Sequence, residues 1–418
     1  TVFNNTSQAF SLPAANLTDP DLHRDGDAAF EAKFVQPPAS ANGGLGPIFS
    51  SPSCVGCHVG DGRGTLLLGG NELGSLLLRI SLPGVDPNGT GGPNPVPGFG
   101  AQFDDHATFG VAPEGHVQIT YTETVHQFAD GRQYSLRTPT YHIVDAYTSF
   151  PADALISPRM ALPVFGRGLL EAIPEASILA LADESDADGD GISGRPNYVY
   201  DFVSHTTVLG RFGWKANQPS LPQQVAAAYR GDMGVTNPIF TAENAQGQPQ
   251  DDGLADDPEI SMGTVEAATF YTQTLGVPAR RNVNDPVVLQ GRRAFDTARC
   301  GSCHTPTFVT GMLPGVPEVS HQTIHPYTDL LLHDMGEDLA DGRPDFQATG
   351  REWRTPPLWG IGLTEVVQGQ AFYLHDGRAR TLMEAIMSHG GEATVSREAV
   401  RKMEKADRDA LILFLQSL

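Results

Sequence analysis

The chain has 418 residues, with 49 Asp and Glu against 27 Lys and Arg, and a formal net charge of -22 at pH 7. That charge excludes nucleic acid and anionic membrane surfaces as partners, because both would repel it, and no stretch approaches the roughly 18 consecutive apolar residues of a transmembrane helix. The length allows two domains or more, and 46 Gly with 32 Pro imply that turns and loops make up much of the fold.

The chain begins at Thr1 without methionine or an apolar leader, as a processed chain would. Its first strong motif is Cys54-Val55-Gly56-Cys57-His58, and the same C-x-x-C-H word returns as Cys300-Gly301-Ser302-Cys303-His304. This is the attachment site of c-type haem. Two thiols three positions apart can add to the two vinyl groups of one porphyrin, while the following imidazole reaches the iron. The two copies use all four cysteines. Short-loop disulfides or half zinc sites are the competing readings. Covalent haem attachment takes place outside the bacterial cytoplasm, so a periplasmic or exported location is expected. Each motif also follows a similar lead-in, Gly46 and Phe49 before the first and Gly291 and Phe295 before the second.

Between the motifs, Val117, Ile119 and Tyr121 alternate, a turn follows at Asp130-Gly131, and the pattern resumes from Tyr134 to Leu136, as in a β-hairpin. Further on, Asp186, Asp188 and Asp190 occupy positions 1, 3 and 5 of a calcium loop, Gly191 position 6, and the Ile192 carbonyl position 7. Asn197 stands where an EF-hand has its bidentate glutamate, so calcium is expected without a helix-loop-helix. A solvated acidic turn is the plainer alternative.

Asp285-Pro286 starts a helix through Val288, Leu289, Arg292 and Phe295. Thr381-Leu382-Met383-Glu384 is a capping box, after which Leu382, Ala385, Ile386 and His389 fall at i, i+3, i+4 and i+7. Gly390-Gly391 ends that helix. A histidine closing the apolar stripe is the candidate sixth ligand of the second haem opposite His304, with Met383 and Met387 as rivals and a helix-end histidine answering the macrodipole as the bland alternative. Histidine on both sides would hold that iron low-spin at a lower potential than His/Met ligation, which suits a relay. A last helix carries Leu411, Phe414, Leu415 and Leu418 on one face. The expected fold is mainly α with substantial irregular and some β structure: a haem module over 1–79, a loop- and β-rich insertion over 80–279 completing the first haem pocket, and a cytochrome c-like module over 280–418.

Longer segments carry a resemblance. Gly44 to Phe49, Gly189 to Arg195, Gly210 to Ala216 (Gly-Arg-Phe-Gly-Trp-Lys-Ala), Leu332 to Gly336 (Leu-His-Asp-Met-Gly), Trp353 to Gly360 (Trp-Arg-Thr-Pro-Pro-Leu-Trp-Gly) and Leu374 to Leu382 together resemble the bacterial di-haem oxidoreductases, also labelled thiol oxidoreductase-like. These are relatives of the di-haem cytochrome c peroxidases and of the di-haem enzyme that matures methylamine dehydrogenase. In the peroxidase relatives the helix after His-Asp-Gly supplies methionine or tyrosine as sixth ligand, and the matching position here is His389.

The resemblance implies that the second haem stores and passes electrons while the first keeps a site for hydrogen peroxide or a related small oxidant. It also implies a distal carboxylate accompanied by a glutamine, to move a proton between the peroxide oxygens. Glu114 and Gln102 are the candidates, farther apart in the chain than in the peroxidases, and His106 is an alternative that would close the first haem as sixth ligand. Trp214, inside a family segment, is the first choice for an aromatic between the haems, with Trp353 and Trp359 as the other tryptophans. An acidic face would suit a basic redox partner protein, or serve solubility alone. A non-catalytic di-haem electron carrier is the competing function. A thiol oxidoreductase acting through its own cysteines is disfavoured because attachment uses all four.

Overall fold

A computed structural model describes residues 1–66 and 73–418. Two helix pairs built on one plan organise it. In the first, Pro20–Glu31 is capped by Asp19, whose side chain accepts from the Leu22 N–H at 2.9 Å, and packs on Met262–Thr274. In the second, Pro286–Thr297 is capped by Asp285, which accepts from the Val287 N–H at 2.8 Å, and packs on Lys405–Ser417. Proline at the first helical position sets the entry of both leading helices.

Each pair crosses at a glycine. A Cβ on Gly26 would stand 2.1 Å from the Ala267 carbonyl oxygen and 2.8 Å from Tyr271 Cβ; on Gly291 it would stand 1.9 Å from the Ala410 oxygen and 2.8 Å from Phe414 Cβ. Only glycine permits backbones this close. Four residues after each glycine comes a phenylalanine, and the ring centroids of Phe30 and Tyr271 and of Phe295 and Phe414 are both 5.3 Å apart. The structural counterpart of Gly291 and Phe295 is therefore Gly26 and Phe30. Phe49 lies instead in the two-residue strand Ile48–Phe49, paired with His106–Ala107, and Gly46 packs against Gly234. The first pair also spans a long separation, since its second helix belongs to the middle of the chain.

The expectation of a mainly α fold is overturned: the structure is 28% helical and 20% strand. The helix carrying the first motif is a single turn, Cys54–Cys57, and the second motif forms only a 3-10 turn, Cys300–Ser302. Strands meanwhile run long. His116–Gln127 pairs antiparallel with Gln133–Val144 in a hairpin that turns at Asp130-Gly131, and Leu76–Val85 pairs with Leu155–Met160 and with Gln102–Phe103. The β-branched and aromatic residues alternating along these segments favour extended chain, while the glycines and prolines keep helices short.

The Leu411, Phe414, Leu415 and Leu418 stripe is buried with Val288, Phe295 and Tyr327 in one apolar cluster. Among the described residues, no helix is long and apolar enough to cross a membrane.

Candidate functional site

Each C-x-x-C-H word lines a cavity of its own. Cys300, Cys303 and His304 line one of about 1340 Å³; Cys54, Cys57 and His58 line another of about 1280 Å³. Both are lined by side chains drawn from widely separated parts of the chain. The four cysteines are unpaired, so short-loop disulfides are absent. Burial pushes the Cys54, Cys57 and Cys300 thiols up to about 12. They are neutral thiols in apolar surroundings, unsuited to exchange chemistry.

Two imidazoles with a common hydrogen-bonding pattern line the Cys300 cavity. His304 Nδ1 donates to the Tyr327 carbonyl at 2.9 Å, and His389 Nδ1 donates to the Ala385 carbonyl at 2.7 Å. A carbonyl only accepts, so the proton sits on Nδ1 in both rings and the lone pair is left on Nε2, the usual arrangement of a metal-bound histidine. Burial keeps both rings neutral, His304 down at about 4 and His389 lowered as well. Thr381 caps the short helix Leu382–Met387, accepting from the Glu384 N–H at 3.1 Å, and Leu382, Ala385, Ile386 and His389 all line the cavity. The helix ends before His389, with Ser388 as its C-cap, and neither Met383 nor Met387 lines the cavity.

Two further histidines line this cavity in other roles. His333 is held between Asp329 at Nε2 and Glu392 at Nδ1, both at 2.8 Å, which raises its pKa well above the ordinary value. His375 stacks on Trp353 with centroids 3.8 Å apart.

The Cys54 cavity is built differently. His58 is its only histidine among the described residues; it is lowered to about 4 by burial and then by the Arg167 charge. Its Nδ1 is buried without a hydrogen-bond partner among the described residues. A helix stripe faces this cavity too. Ser220 caps Leu221–Met233, and Leu221, Gln224, Val225, Ala228 and Asp232 line the space. This stripe ends in a carboxylate where the other ends in an imidazole. Burial raises the Asp232 pKa, and its nearest cation is Arg79 at 3.7 Å. Met160 and Met233 also line the cavity.

Gln102, Glu114 and His106 do not line the Cys54 cavity. Gln102 sits directly behind Asp232, donating through Nε2 to the Gly231 carbonyl at 2.7 Å and to Ser50 Oγ at 2.9 Å. Ser50 donates to Asp104 at 2.8 Å, and the Asp104 N–H donates to Glu114 Oε2 at 2.7 Å. Glu114 is fully buried. Burial and the neighbouring carboxylate push Asp104 and Glu114 upward together. His106 contacts Asp105 at 2.9 Å and stacks on Phe49.

Trp214 lines both cavities and, among the described residues, is the only one that does. Its Nε1 donates to the Met160 carbonyl at 2.7 Å, and its ring meets that of Trp353 edge-on at 6.4 Å. Trp353 lines the Cys300 cavity alone, and Trp359 is core.

The acidic loop departs from the expected ligand set. Asp186 and Asp188 cluster with Asp183, while Asp190 pairs with Arg299 and the Ile192 N–H donates to Asp190 at 2.9 Å.

Sequence reading passed over Asp232, the His333 cluster and the buried arginines around Trp214. Asp232 had a signal in the 3.6-residue stripe from Leu221. His333 and Arg354 stood inside recognised segments without an assigned role.

No curated protein matches the chain. A family model described as "Di-haem oxidoreductase, putative peroxidase" matches residues 1–418, the whole length. With one C-x-x-C-H motif in each of two cavities, the chain belongs to this di-haem oxidoreductase family.

Proposed function

We propose that the protein is a peroxidase-like enzyme with two thioether-anchored c-type haems, in which the Cys300/Cys303 site relays electrons and the Cys54/Cys57 site reduces hydrogen peroxide or a related small oxidant. The observation that carries this reading is the unequal ending of the two helix stripes. An imidazole with its lone pair on Nε2 ends the first, fitting a closed six-coordinate site. A carboxylate ends the second, fitting an iron left open to substrate.

When bound, the haems would store electrons and deliver two of them to the O–O bond, so that peroxide, two electrons and two protons yield two waters. The chain's own residues handle position and protons. His304 and His389 would ligate one iron and His58 the other, each pair of cysteines holding its macrocycle. Asp232 would take the proton from the attacking peroxide oxygen and return it to the departing one. Gln102, Asp104 and Glu114, behind it, would orient Asp232 and hold a proton in reserve. Trp214 would shorten the path between the cofactors. Asp183, Asp186 and Asp188 would bind the expected calcium, with Asp190 holding the loop to Arg299. An exported location follows from covalent attachment, and a basic donor protein from the charge of -22.

Electron paramagnetic resonance of the oxidised and half-reduced protein tests the assignment. One low-spin and one high-spin haem, the latter binding cyanide, is the expected result. Met160 and Met233 supply the specific alternative: if either closes the Cys54 site, both haems are low-spin, cyanide does not bind, and the protein is an electron carrier.

A further inference from the structure

Most buried cations near Trp214 have carboxylate partners. Lys215 meets Asp341 at 2.8 Å, Arg159 meets Asp345 at 3.2 Å, Arg343 meets Asp345 at 3.3 Å, and Arg378 meets Asp376 at 2.7 Å. Among the described residues, no carboxylate lies within ion-pair distance of Arg63, Arg167 or Arg354; Asp376 acts on Arg63 and Asp329 on Arg354 only from farther off. Arg63 is 8% exposed, Arg167 7% and Arg354 0%. Their hydrogen bonds go only to backbone carbonyls: Arg63 to Leu374, Arg167 Nε to Pro163 at 2.7 Å, and Arg354 to Gly213 at 2.8 Å and Thr355 at 3.0 Å. Arg63 Nε and one terminal nitrogen of Arg354 are buried with no hydrogen-bond partner among the described residues.

A buried guanidinium without a counter-ion is costly, and three together cost more. They share one neighbourhood. Arg63 and Arg354 line the Cys300 cavity, Arg167 lines the Cys54 cavity, and the Arg63 guanidinium lies 5.1 Å from the centre of the Trp214 ring. The Arg354 N–H donates to the Trp214 carbonyl at 2.8 Å. Burial first, and then the charges of Arg354 and Arg63, lower Arg167 to about 9, as expected of like charges in low dielectric. In a chain of net charge -22, three buried guanidiniums without a direct carboxylate contact at this one wall are the setting for an anion.

We infer that Arg63, Arg167 and Arg354 bind carboxylates, namely the propionate groups of the two haems, so that the acidic edges of both cofactors turn toward the wall they share at Trp214. This rests on the di-haem reading above. Guanidinium and carboxylate match in a planar two-point contact, and the pairing removes the desolvation cost on both sides. It also makes these arginines positioning residues, which fix the two macrocycles relative to one another and set their potentials.

The test is spectroelectrochemical titration of the purified holoprotein at pH 8 and fixed ionic strength, after a haemochrome assay has counted the attached haems. R63Q and R354Q are expected to lower the midpoint of the Cys300/Cys303 haem, and R167Q that of the Cys54/Cys57 haem, because an uncompensated propionate favours the oxidised iron. Each shift should reach about tenfold in the reduction equilibrium, about 59 mV for one electron. R63K should retain the wild-type midpoint. R299Q should too, since Arg299 lines the same cavity but already pairs with Asp190. Should R354Q fail to fold, R63Q and R167Q decide. Unchanged midpoints in variants that carry both haems overturn the inference, as do midpoints that follow added phosphate, which would identify a free anion as the occupant. A wild-type protein without attached haem would instead overturn the di-haem reading itself.

Discussion

The two haem-motif regions share a scaffold and differ in what the scaffold delivers. In both, a proline-started helix crosses its partner at a glycine and sets a phenylalanine beside the cavity, Phe30 in one and Phe295 in the other. The difference lies in the helix brought to the cavity. Leu382–Met387 is short and hands over His389 just past its end; Leu221–Met233 is a full helix whose last turn presents Asp232. On the proposed reading, one scaffold would hold an iron for transfer or for chemistry, depending on whether the presented group is a strong ligand or a proton carrier.

Removing the anchors separates the two regions most sharply. Cys54→Ser with Cys57→Ser should abolish peroxide turnover and leave the low-spin signal, whereas Cys300→Ser with Cys303→Ser should remove that signal; mass and electron paramagnetic resonance of each variant read the outcome. The same signal lost in both would deny that the sites are independent. Next in size, Asp232→Asn should slow steady-state peroxide consumption by roughly 10²–10⁴-fold, the usual loss for a missing acid–base group. Unaltered turnover would return the proton role to another residue.

His389→Ala should turn the relay haem high-spin while leaving the other unchanged, and His389→Met should raise its potential. A low-spin signal that survives His389→Ala would point to another ligand among the cavity residues.

What was readable in the chain follows the range of the forces involved. The two C-x-x-C-H words, each at a cavity of its own, and the stripe that brings His389 to one of them were legible because motif spacing and helical period are local, acting within about a turn. Trp214 could be singled out from its segment, but its place on two cavity walls depends on the packing of distant chain. The helix pair at Gly26 and Ala267 was missed because its halves lie far apart in sequence; nearby Gly46 and Phe49 offered a false match. The pairing of Asp190 with Arg299 was not legible because that cation is remote in the chain. Strand was underweighted because the haem motifs suggested helix, and tertiary pairing along the hairpins prevailed. The three arginines without a direct carboxylate contact were illegible for the same reason as the loop: the distance of a counter-charge is visible only once every neighbour is in place.

Trp214→Phe bears on how the regions communicate. Losing the Nε1 bond to the Met160 carbonyl should cost about 1 kcal/mol, and rapid-mixing spectroscopy should show slower electron equilibration between the haems. Trp359→Phe, a core change, is the control: a comparable loss of stability with unchanged equilibration. Equal rates in the two variants would remove Trp214 from the electron path.

The smallest effect concerns the acidic pair behind Asp232. In an unfolded chain Asp and Glu ionise near pH 3.9 and 4.3, respectively, whereas burial first, and then neighbouring carboxylates (Asp232 and Asp105 for Asp104, Asp104 for Glu114), hold both protonated to higher pH in the folded protein. Between those values the native state binds more protons than the unfolded state, so the stability contributed by the pair is complete at low pH and declines as pH rises. Glu114→Gln removes one of the two ionisations. Its unfolding temperature relative to the wild type should therefore be higher at pH 8 than at pH 4.5, with no advantage at the lower value, where the new amide faces the Gln248 amide that donates to Glu114 at 3.3 Å. A difference independent of pH would show that the pair holds no extra proton, and the reserve would then have to lie at Asp232 alone. A pH-dependent one would place the extra proton of the buried carboxylates on the side of the molecule where the proposed chemistry consumes protons.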